Sequence, residues 1–332
     1  MTPTVVVCAR FQPPHRGHVE AITAACASGV RVLVVLLGAH ESRSLRNPWS
    51  ESERQAMLAA ALPAGAEVEY LALRDRRYDR YGWTRRLEEA VRRRVGPWAE
   101  VLLVGDRELR CDLPPWPANW GEDATGRGFN ARENLLRALF FWGESPFSLD
   151  TVVAHLAPAN AAWQREFVAA TPFAALREEA AFIRTGKARW ASAPYPPIFV
   201  TVDALVTWRE EILVIERGHL PGIGLHALPG GFLDPQESLL AACRRELLEE
   251  TRFDASALAP SAVRVFDDPY RSLRGRTITH LYRFDCPSAR PRPRASGGDD
   301  ARSAAWIARA SLDPRRFFED HYAMLQVMLD LE

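Results

Sequence analysis

The sequence predicts two domains in succession, an α/β domain on a parallel sheet with helices on both faces, followed by an α+β domain. Three observations carry that expectation. Through the first half, short β-branched runs alternate with helix-forming stretches at intervals suited to βαβ units. Between Gly186 and Pro197 the periodicity stops, and Ser192-Ala-Pro-Tyr-Pro-Pro marks a boundary. Beyond it, adjacent strands, a Gly/Pro-rich loop and one strongly periodic helix replace the alternation. The expected limits are 1–186 for the first domain, 187–197 for a linker and 198–332 for the second.

Thr4 to Cys8 is β-branched and apolar, as a buried strand requires, and His18 to Cys26 carries helix formers after the loop Ala9–Gly17. Val30 to Leu37 reads as a second buried strand, Glu51 to Ala61 as a helix and Glu67 to Leu73 as a strand. Thr84 to Arg94 then reads as a helix and Glu100 to Val104 as a strand. Ala131 to Trp142 and Ala162 to Ile183 are expected helices that close the domain. In the second half, Ile198–Trp208, Glu211–Glu216, Ala262–Phe266 and Thr277–Phe284 read as strands and Gln236–Glu250 as a helix. Ser288 to Arg302, rich in Pro, Arg, Gly and Asp, is expected to be a mobile loop before a terminal helix, Pro314–Leu331.

Forty-two basic residues against forty-two acidic ones leave no net field, which argues against broad attraction to nucleic acid or membrane. A small anionic ligand needs only local positive charge. Cys8, Cys26, Cys111, Cys243 and Cys286 are far apart and form neither a zinc pattern nor a disulfide framework, so a reducing compartment is expected. The N-terminus lacks a secretory pattern, and the longest apolar run, Val30–Ala39, contains Arg31 and is too short to span a bilayer. A cytoplasmic location is the expectation.

Two segments carry chemistry. Val5-Val-Val-Cys-Ala-Arg-Phe-Gln-Pro-Pro-His-Arg-Gly-His18 runs from a strand through a tight loop into a helix. Backbone N–H groups and the positive end of a helix there suit a phosphate chain. Arg10 offers a bidentate phosphate contact, His15 and His18 offer hydrogen-bond donors, and Gly17 permits close backbone approach. The competing reading is a turn shaped by Pro13, Pro14 and Gly17 with solvated histidines.

The second segment is Gly230 to Phe253. On a helix, Glu246, Glu249 and Glu250 are three and four positions apart and share a face, while Leu239, Ala242, Cys243 and Leu247 form a stripe for burial. Three carboxylates together need cationic compensation, and Mg²⁺ or Mn²⁺ suits hard oxygen ligands. Glu237 is placed to pair with Arg245 across the loop–helix junction. In isolation, R-E-L-L-E-E is an ordinary charged helix face.

The first segment resembles the H-x-G-H signature of the adenylyltransferase superfamily, usually G-R-F-Q-P-x-H-x-G-H. Ser42-Arg-Ser-Leu-Arg-Asn-Pro-Trp-Ser50 and Glu53-Arg54 extend the likeness to nicotinamide-mononucleotide adenylyltransferases of the archaeal type. The resemblance implies a Rossmann-like nucleotidyltransferase domain that uses ATP as substrate, with His15 and His18 catalytic, Arg10 and Phe11 at the nucleotide and Arg46 on a phosphate. It also implies Asp75, Trp83 and Asn130 near the nicotinamide nucleotide. The second ATP signature aligns best with Asn134-Leu-Leu-Arg137, which implies Arg137 as catalytic and Asn134 as nucleotide-binding, with Arg132 as the alternative. Ala9 stands where the family has glycine, and Asn134 where a hydroxyl residue is usual. Mg²⁺ is expected to arrive with ATP rather than in a carboxylate cage.

The second segment resembles the Nudix box, G-x5-E-x7-R-E-U-x-E-E-x-G-U, at Gly231, Glu237, Arg245, Glu246, Leu247, Glu249, Glu250 and Phe253, with Arg252 in place of the final glycine. That glycine commonly ends the helix in a left-handed conformation, which costs arginine roughly 1 kcal/mol. The resemblance implies metal binding by Glu246, Glu249 and Glu250, with the Gly231 carbonyl as a further ligand. Glu250 is taken as the base because it stands at the exposed end of the set. Leu213–Arg217, Pro221–His226, Phe266–His280 and Phe317–His321 resemble the Nudix half of bifunctional nicotinamide-mononucleotide adenylyltransferase/ADP-ribose pyrophosphatases, with His226 where tryptophan is common. Arg271, Arg274 and Arg276 are candidates for a diphosphate or terminal ribose, or alternatively a solvated loop. ATP, nicotinamide mononucleotide, NAD and ADP-ribose are the implied small-molecule partners, and homo-oligomerisation stays open. Two other readings remain: a Nudix hydrolase whose first domain has lost transferase activity, and a non-enzymatic nucleotide sensor.

Overall fold

The computed structural model of the chain describes residues 3–105, 117, 119–123, 128–143 and 148–331; Cys111 lies outside them. The chain divides into two compact units, Met1–Ala180 and Ala181–Glu332.

In the first unit, β1 (Thr4–Ala9), β2 (Val32–Leu37), β3 (Glu69–Leu73), β4 (Val101–Gly105) and β5 (Trp120–Asp123) form an all-parallel sheet in the order β3-β2-β1-β4-β5. Helices α1 (Arg16–Ala27), α2 (Glu51–Ala61) and α3 (Arg80–Val95) alternate with the strands. Residues of β1 alternate between two cores. Val6 and Cys8 face Leu33, Val35 and the α3 residues Leu87 and Val91. Val5, Val7 and Ala9 face Val34, Ile22 of α1 and Leu58 of α2. Burial on both faces is what lets a parallel sheet read as continuous apolar runs. The connections leave β1 on opposite sides, toward β2 and from β4, so the loop after β1 sits at the switch point where such sheets bind ligands.

The closing helices differ from expectation. Helix α4 (Phe129–Arg137) passes into a π-helical turn, Ala138–Trp142, and α5 (Leu149–Val153) follows. The expected long helix is two, α6 (Asn160–Ala169) and α7 (Thr171–Ala188), broken at Ala170, whose ψ of 152° is extended. Pro172 in the first turn of α7 suits a new start rather than a continuing helix. The short strand β5 was not anticipated.

In the second unit, β6 (Ile198–Trp208), β7 (Glu211–Arg217), β8 (His226–Ala227), β9 (Gly230–Phe232), β10 (Ala262–Phe266), β11 (Arg276–Cys286) and β12 (Ala301–Ala308) form one mixed sheet. Its order is β10-β11-β6-β7-β12; β8 pairs with β7 and β9 with β6. Only β11–β6 is parallel among these pairs. Helix α8 (Leu239–Thr251) packs Ala242, Cys243 and Leu247 against Val202, Ala204, Val206 and Phe284.

Ser288–Arg302 is not simply a loop. It leads into β12, which pairs antiparallel with β7. On the way, the Ser296 and Gly298 N–H groups donate to the Thr251 carbonyl at 3.0 Å and the Glu250 carbonyl at 3.1 Å, capping α8. The terminal helix α9 (His321–Leu329) starts later than expected. Pro314–Arg316 is a separate 3₁₀ turn, because Phe317 and Phe318 are buried and the Phe318 N–H donates to His226 O at 2.8 Å. No helix among the described residues is long and apolar enough to cross a membrane.

Candidate active sites

The loop after β1 is built around a buried carboxylate. Phe11 has φ 56°, the left-handed region that costs a non-glycine residue about 1 kcal/mol, and its N–H donates to Glu133 Oε1 at 2.7 Å. Gln12 clamps Trp49 through Nε2 to the carbonyl (2.9 Å) and Oε1 from the N–H (3.1 Å). Arg54, fully buried on α2, donates to the carbonyls of Leu37 (2.7 Å), Gly38 (3.3 Å) and Arg10, fixing the ends of β1 and β2. Burial lowers its pKa to about 10, so it remains a cation.

His15 and His18 open α1 with their rings stacked, centroids 3.7 Å apart. Both are buried, which excludes the solvated alternative. The His15 N–H donates to His18 Nδ1 at 3.2 Å, so the His18 proton is assigned to Nε2. That Nε2 lies 3.4 Å from Glu133 Oε1, yet it and His15 Nδ1 have no hydrogen-bond partner among the described residues. Burial, reinforced by Arg132, lowers the His15 pKa to about 4 and holds His18 well below the ordinary imidazole value. Both rings are neutral near pH 7. Arg132 stands over Gly17, where a β-carbon would be 3.1 Å from its Nη1. The unpartnered His18 Nε2–H, a helix N-terminus and a nearby guanidinium together fit a phosphate chain, while His15 Nε2 donates to the Phe129 carbonyl at 3.3 Å and leaves Nδ1 an acceptor.

Arg10 pairs with Asp75 and approaches Asn47 Oδ1 (3.4 Å), and the Asp75 charge raises its pKa. Arg137 donates to Gln12 O (3.0 Å), Glu133 Oε2 (3.4 Å) and Asn134 Oδ1. Phe11, His18 and Arg137 therefore gather around Glu133, with His15 stacked on His18 and with Arg10 and Asp75 as a second pair. Arg46 is half-buried between β2 and α2, and Asn130 is half-buried on α4. Trp83 packs into the core with Leu73 and Leu87, although its indole Nε1 has no hydrogen-bond partner among the described residues. The Ala9 methyl is buried in the core with Phe11 and Ile22. Sequence reasoning missed Glu133: four residues before Arg137 it reads as an ordinary helix-surface pair.

In the second unit, β9 places the start of the box against β6, with Gly230 opposite Asp203 and Gly231 opposite Val202. A β-carbon on Gly230 would sit 2.8 Å from Asp203 Cα, and one on Gly231 would sit 2.5 Å from Glu246 Cδ. Ser238 caps α8 by accepting the Ala241 N–H at 3.3 Å. Arg245 joins Glu237 (2.6 Å), Glu246 (2.9 Å) and Glu249 (3.0 Å), as the spacing suggested for Glu237. The Gly230 N–H donates to Glu250 Oε2 at 2.9 Å.

Glu250 is buried, with 5 % exposure, whereas the Glu249 side chain is 43 % exposed. The reason given for Glu250 as base is thereby overturned: Glu249 stands at the exposed end. Burial raises the Glu250 pKa to about 8, with the Glu246 and Asp203 charges adding to it, and burial also raises Glu246. Among the described residues no three His, Cys, Asp or Glu side chains form a ready cage. The donor set is nonetheless all oxygen, negatively charged and partly desolvated, and it fits a divalent cation.

Arg271 is neither solvated nor open to a ligand. It is buried, with Nε and Nη2 on the Asp320 carboxylate at 3.0 and 3.1 Å. Arg276 donates to Asp267 O. Arg274 lies among aromatic rings, over Phe232 at 5.6 Å and Phe318 at 5.7 Å, and Arg217 also lies over the Phe318 ring, at 4.3 Å. Arg252 does adopt the left-handed conformation, φ 57° and ψ 15°.

Comparison with known proteins agrees with this division. The cytidylyltransferase-like family matches residues 6–136 and the NUDIX domain family residues 197–328. Across 99% of each chain, the protein is similar at 28% identity and a TM-score of 0.85 to a bifunctional NMN adenylyltransferase/ADP ribose pyrophosphatase from Francisella tularensis, solved with AMP and a manganese ion. It is 32% identical over 130 residues to an ADP-ribose pyrophosphatase of Methanocaldococcus jannaschii, covering 38% of this chain and 70% of the relative. It is 40% identical over 62 residues to a nicotinamide-nucleotide adenylyltransferase of Thermococcus onnurineus, covering 18% of this chain and 33% of the relative. A nucleotidyltransferase fold and a Nudix fold on one chain define a two-site nucleotide enzyme. The chain belongs to the bifunctional NMN adenylyltransferase/ADP-ribose pyrophosphatase family.

Proposed function

We propose that the chain makes NAD and pyrophosphate from ATP and nicotinamide mononucleotide at the first site and hydrolyses ADP-ribose to AMP and ribose 5-phosphate at the second. The observation that carries the reading is the desolvated Glu246–Glu250 carboxylate pair packed against Gly230-Gly231, beside Arg245.

At the first site the mononucleotide phosphate is already an anionic nucleophile, so the residues need only align it and neutralise charge on the phosphoryl oxygens. His18 Nε2 and the N-terminal amides of α1 suit the phosphates, with His15, Arg10, Arg46 and Arg137 around them. At the second, Glu246, Glu249, Glu250 and the Gly231 carbonyl would hold Mg²⁺ or Mn²⁺. When bound, that ion supplies Lewis-acid stabilisation of the diphosphate and an activated water. Arg245 holds the carboxylates in register, Arg274 serves substrate phosphate or ribose, and Glu250 is the proposed proton acceptor, supported by its place beside Glu246 with the Gly230 N–H on Oε2 at 2.9 Å.

Two assays on the purified chain test the reading. One supplies ATP and nicotinamide mononucleotide with Mg²⁺, the other ADP-ribose and competing dinucleotides with Mg²⁺ or Mn²⁺. Product formation in both is expected. Hydrolysis alone would leave the first domain without transferase activity, and binding without turnover in either would indicate a sensor. His18→Ala is expected to lower dinucleotide synthesis, and Glu250→Gln hydrolysis, each by at least about tenfold.

A further inference from the structure

Glu133 is fully buried on α4, yet its carboxylate meets three groups from separate parts of the first site. Oε1 accepts the Phe11 N–H at 2.7 Å, fixing the left-handed turn after β1. The same oxygen lies 3.4 Å from His18 Nε2, and Oε2 accepts from Arg137 Nη1 at 3.4 Å. Burial raises the Glu133 pKa, and the Arg137 and Arg10 charges oppose that rise. A core-packing position would be served by an apolar residue. An acid at this place instead joins the loop, one histidine and one arginine.

We propose that Glu133 is a positioning residue for adenylyl transfer, holding the Arg137 guanidinium at the phosphate site and fixing the Phe11 turn, with its carboxyl group 3.4 Å from His18 Nε2, whose N–H stays free for a phosphate. The inference rests on the adenylyltransferase reading above. Glu133 acts through His18 and Arg137 and touches no reacting atom itself. Its negative charge favours the tautomer that the His15 N–H imposes from the other side of the ring, with the proton on Nε2. The electrostatic part of this role is lost in an amide, whereas the acceptor for Phe11 is kept.

The test uses the full chain with Glu133→Gln and Glu133→Ala. In Glu133→Gln, kcat for dinucleotide synthesis is expected to fall about thirtyfold, with KM for ATP changed less than about threefold. Near-wild-type kcat in Glu133→Gln, with loss only in Glu133→Ala, would mean that Glu133 merely supports the turn and would overturn the proposal. Should the variants not fold, ¹⁵N NMR of the wild-type histidines decides: a His18 ring protonated on Nε2 supports it, and one protonated on Nδ1 overturns it. A wild-type chain that hydrolyses ADP-ribose but makes no dinucleotide overturns the adenylyltransferase reading itself, and the inference with it.

Discussion

The Glu246 carboxyl group occupies the space that a side chain at Gly231 would need, with a β-carbon there falling 2.5 Å from Glu246 Cδ and 2.7 Å from Oε2. Gly231→Ala must therefore displace the carboxylate or the strand. It is expected to lower ADP-ribose hydrolysis by about a hundredfold while leaving dinucleotide synthesis by the same preparation unchanged. Parallel assays of both reactions check this, and equal loss in both would point to general misfolding.

Arg271 and Arg274, three residues apart, are expected to answer mutation differently. Arg271→Ala removes the buried guanidinium from the Asp320 carboxylate and should destabilise the second unit by about 3 kcal/mol in denaturant unfolding. Arg274→Ala should change stability by less than about 1 kcal/mol and instead raise KM for ADP-ribose. Reversal of the two phenotypes would show that the buried pair contributes little and that Arg271 serves the ligand.

The burial of His15 links stability to pH. Its folded pKa of about 4 lies below the ordinary value of 6.5, so above pH 6.5 both folded and unfolded chains are neutral there and nothing is lost. As pH falls from 6.5 toward 4, the unfolded chain takes up a proton that the folded chain refuses. The folded state then loses on the order of 3 kcal/mol from this group. Thermal melts of wild type and His15→Gln across that range measure the difference, and an identical slope in both would remove His15 as its source.

Arg252 tests the departure at the end of the box. Glycine at its φ of 57° is unstrained, so Arg252→Gly is expected to stabilise the second unit by about 0.5 kcal/mol and leave hydrolysis unaltered. A loss of stability would show that the side chain, which packs against Gly298, outweighs the backbone strain.

Local spacing made part of this visible in advance. The i, i+3 and i+4 relation of the three glutamates, their apolar stripe and the Glu237–Arg245 pair follow from helix periodicity, and the βαβ alternation gave the first sheet. Depth was not visible. The spacing places Glu250 on the face of the other carboxylates, but only the packing of α8 on the sheet shows that it is buried and Glu249 exposed. Strand β12, Ala-Arg-Ser-Ala-Ala-Trp-Ile-Ala, has Ile307 as its one β-branched residue and follows a Pro/Arg-rich stretch, so its pairing with β7 decided what propensity did not. Glu133 was illegible because its main partner, Phe11, is 122 residues away. Arg271 looked like one cation among three because nothing near it in the chain announces Asp320, 49 residues on.

Ser296 and Gly298 each lend an amide to the last turn of α8, at the carbonyls of Thr251 and Glu250. A segment whose composition suggests a dispensable spacer is thus fastened to the helix that carries the acidic triad. Cleaving it or lengthening it by a few residues would reach the hydrolytic centre directly, fraying the very turn on which Glu250 stands, and would be felt first in catalysis rather than in solubility.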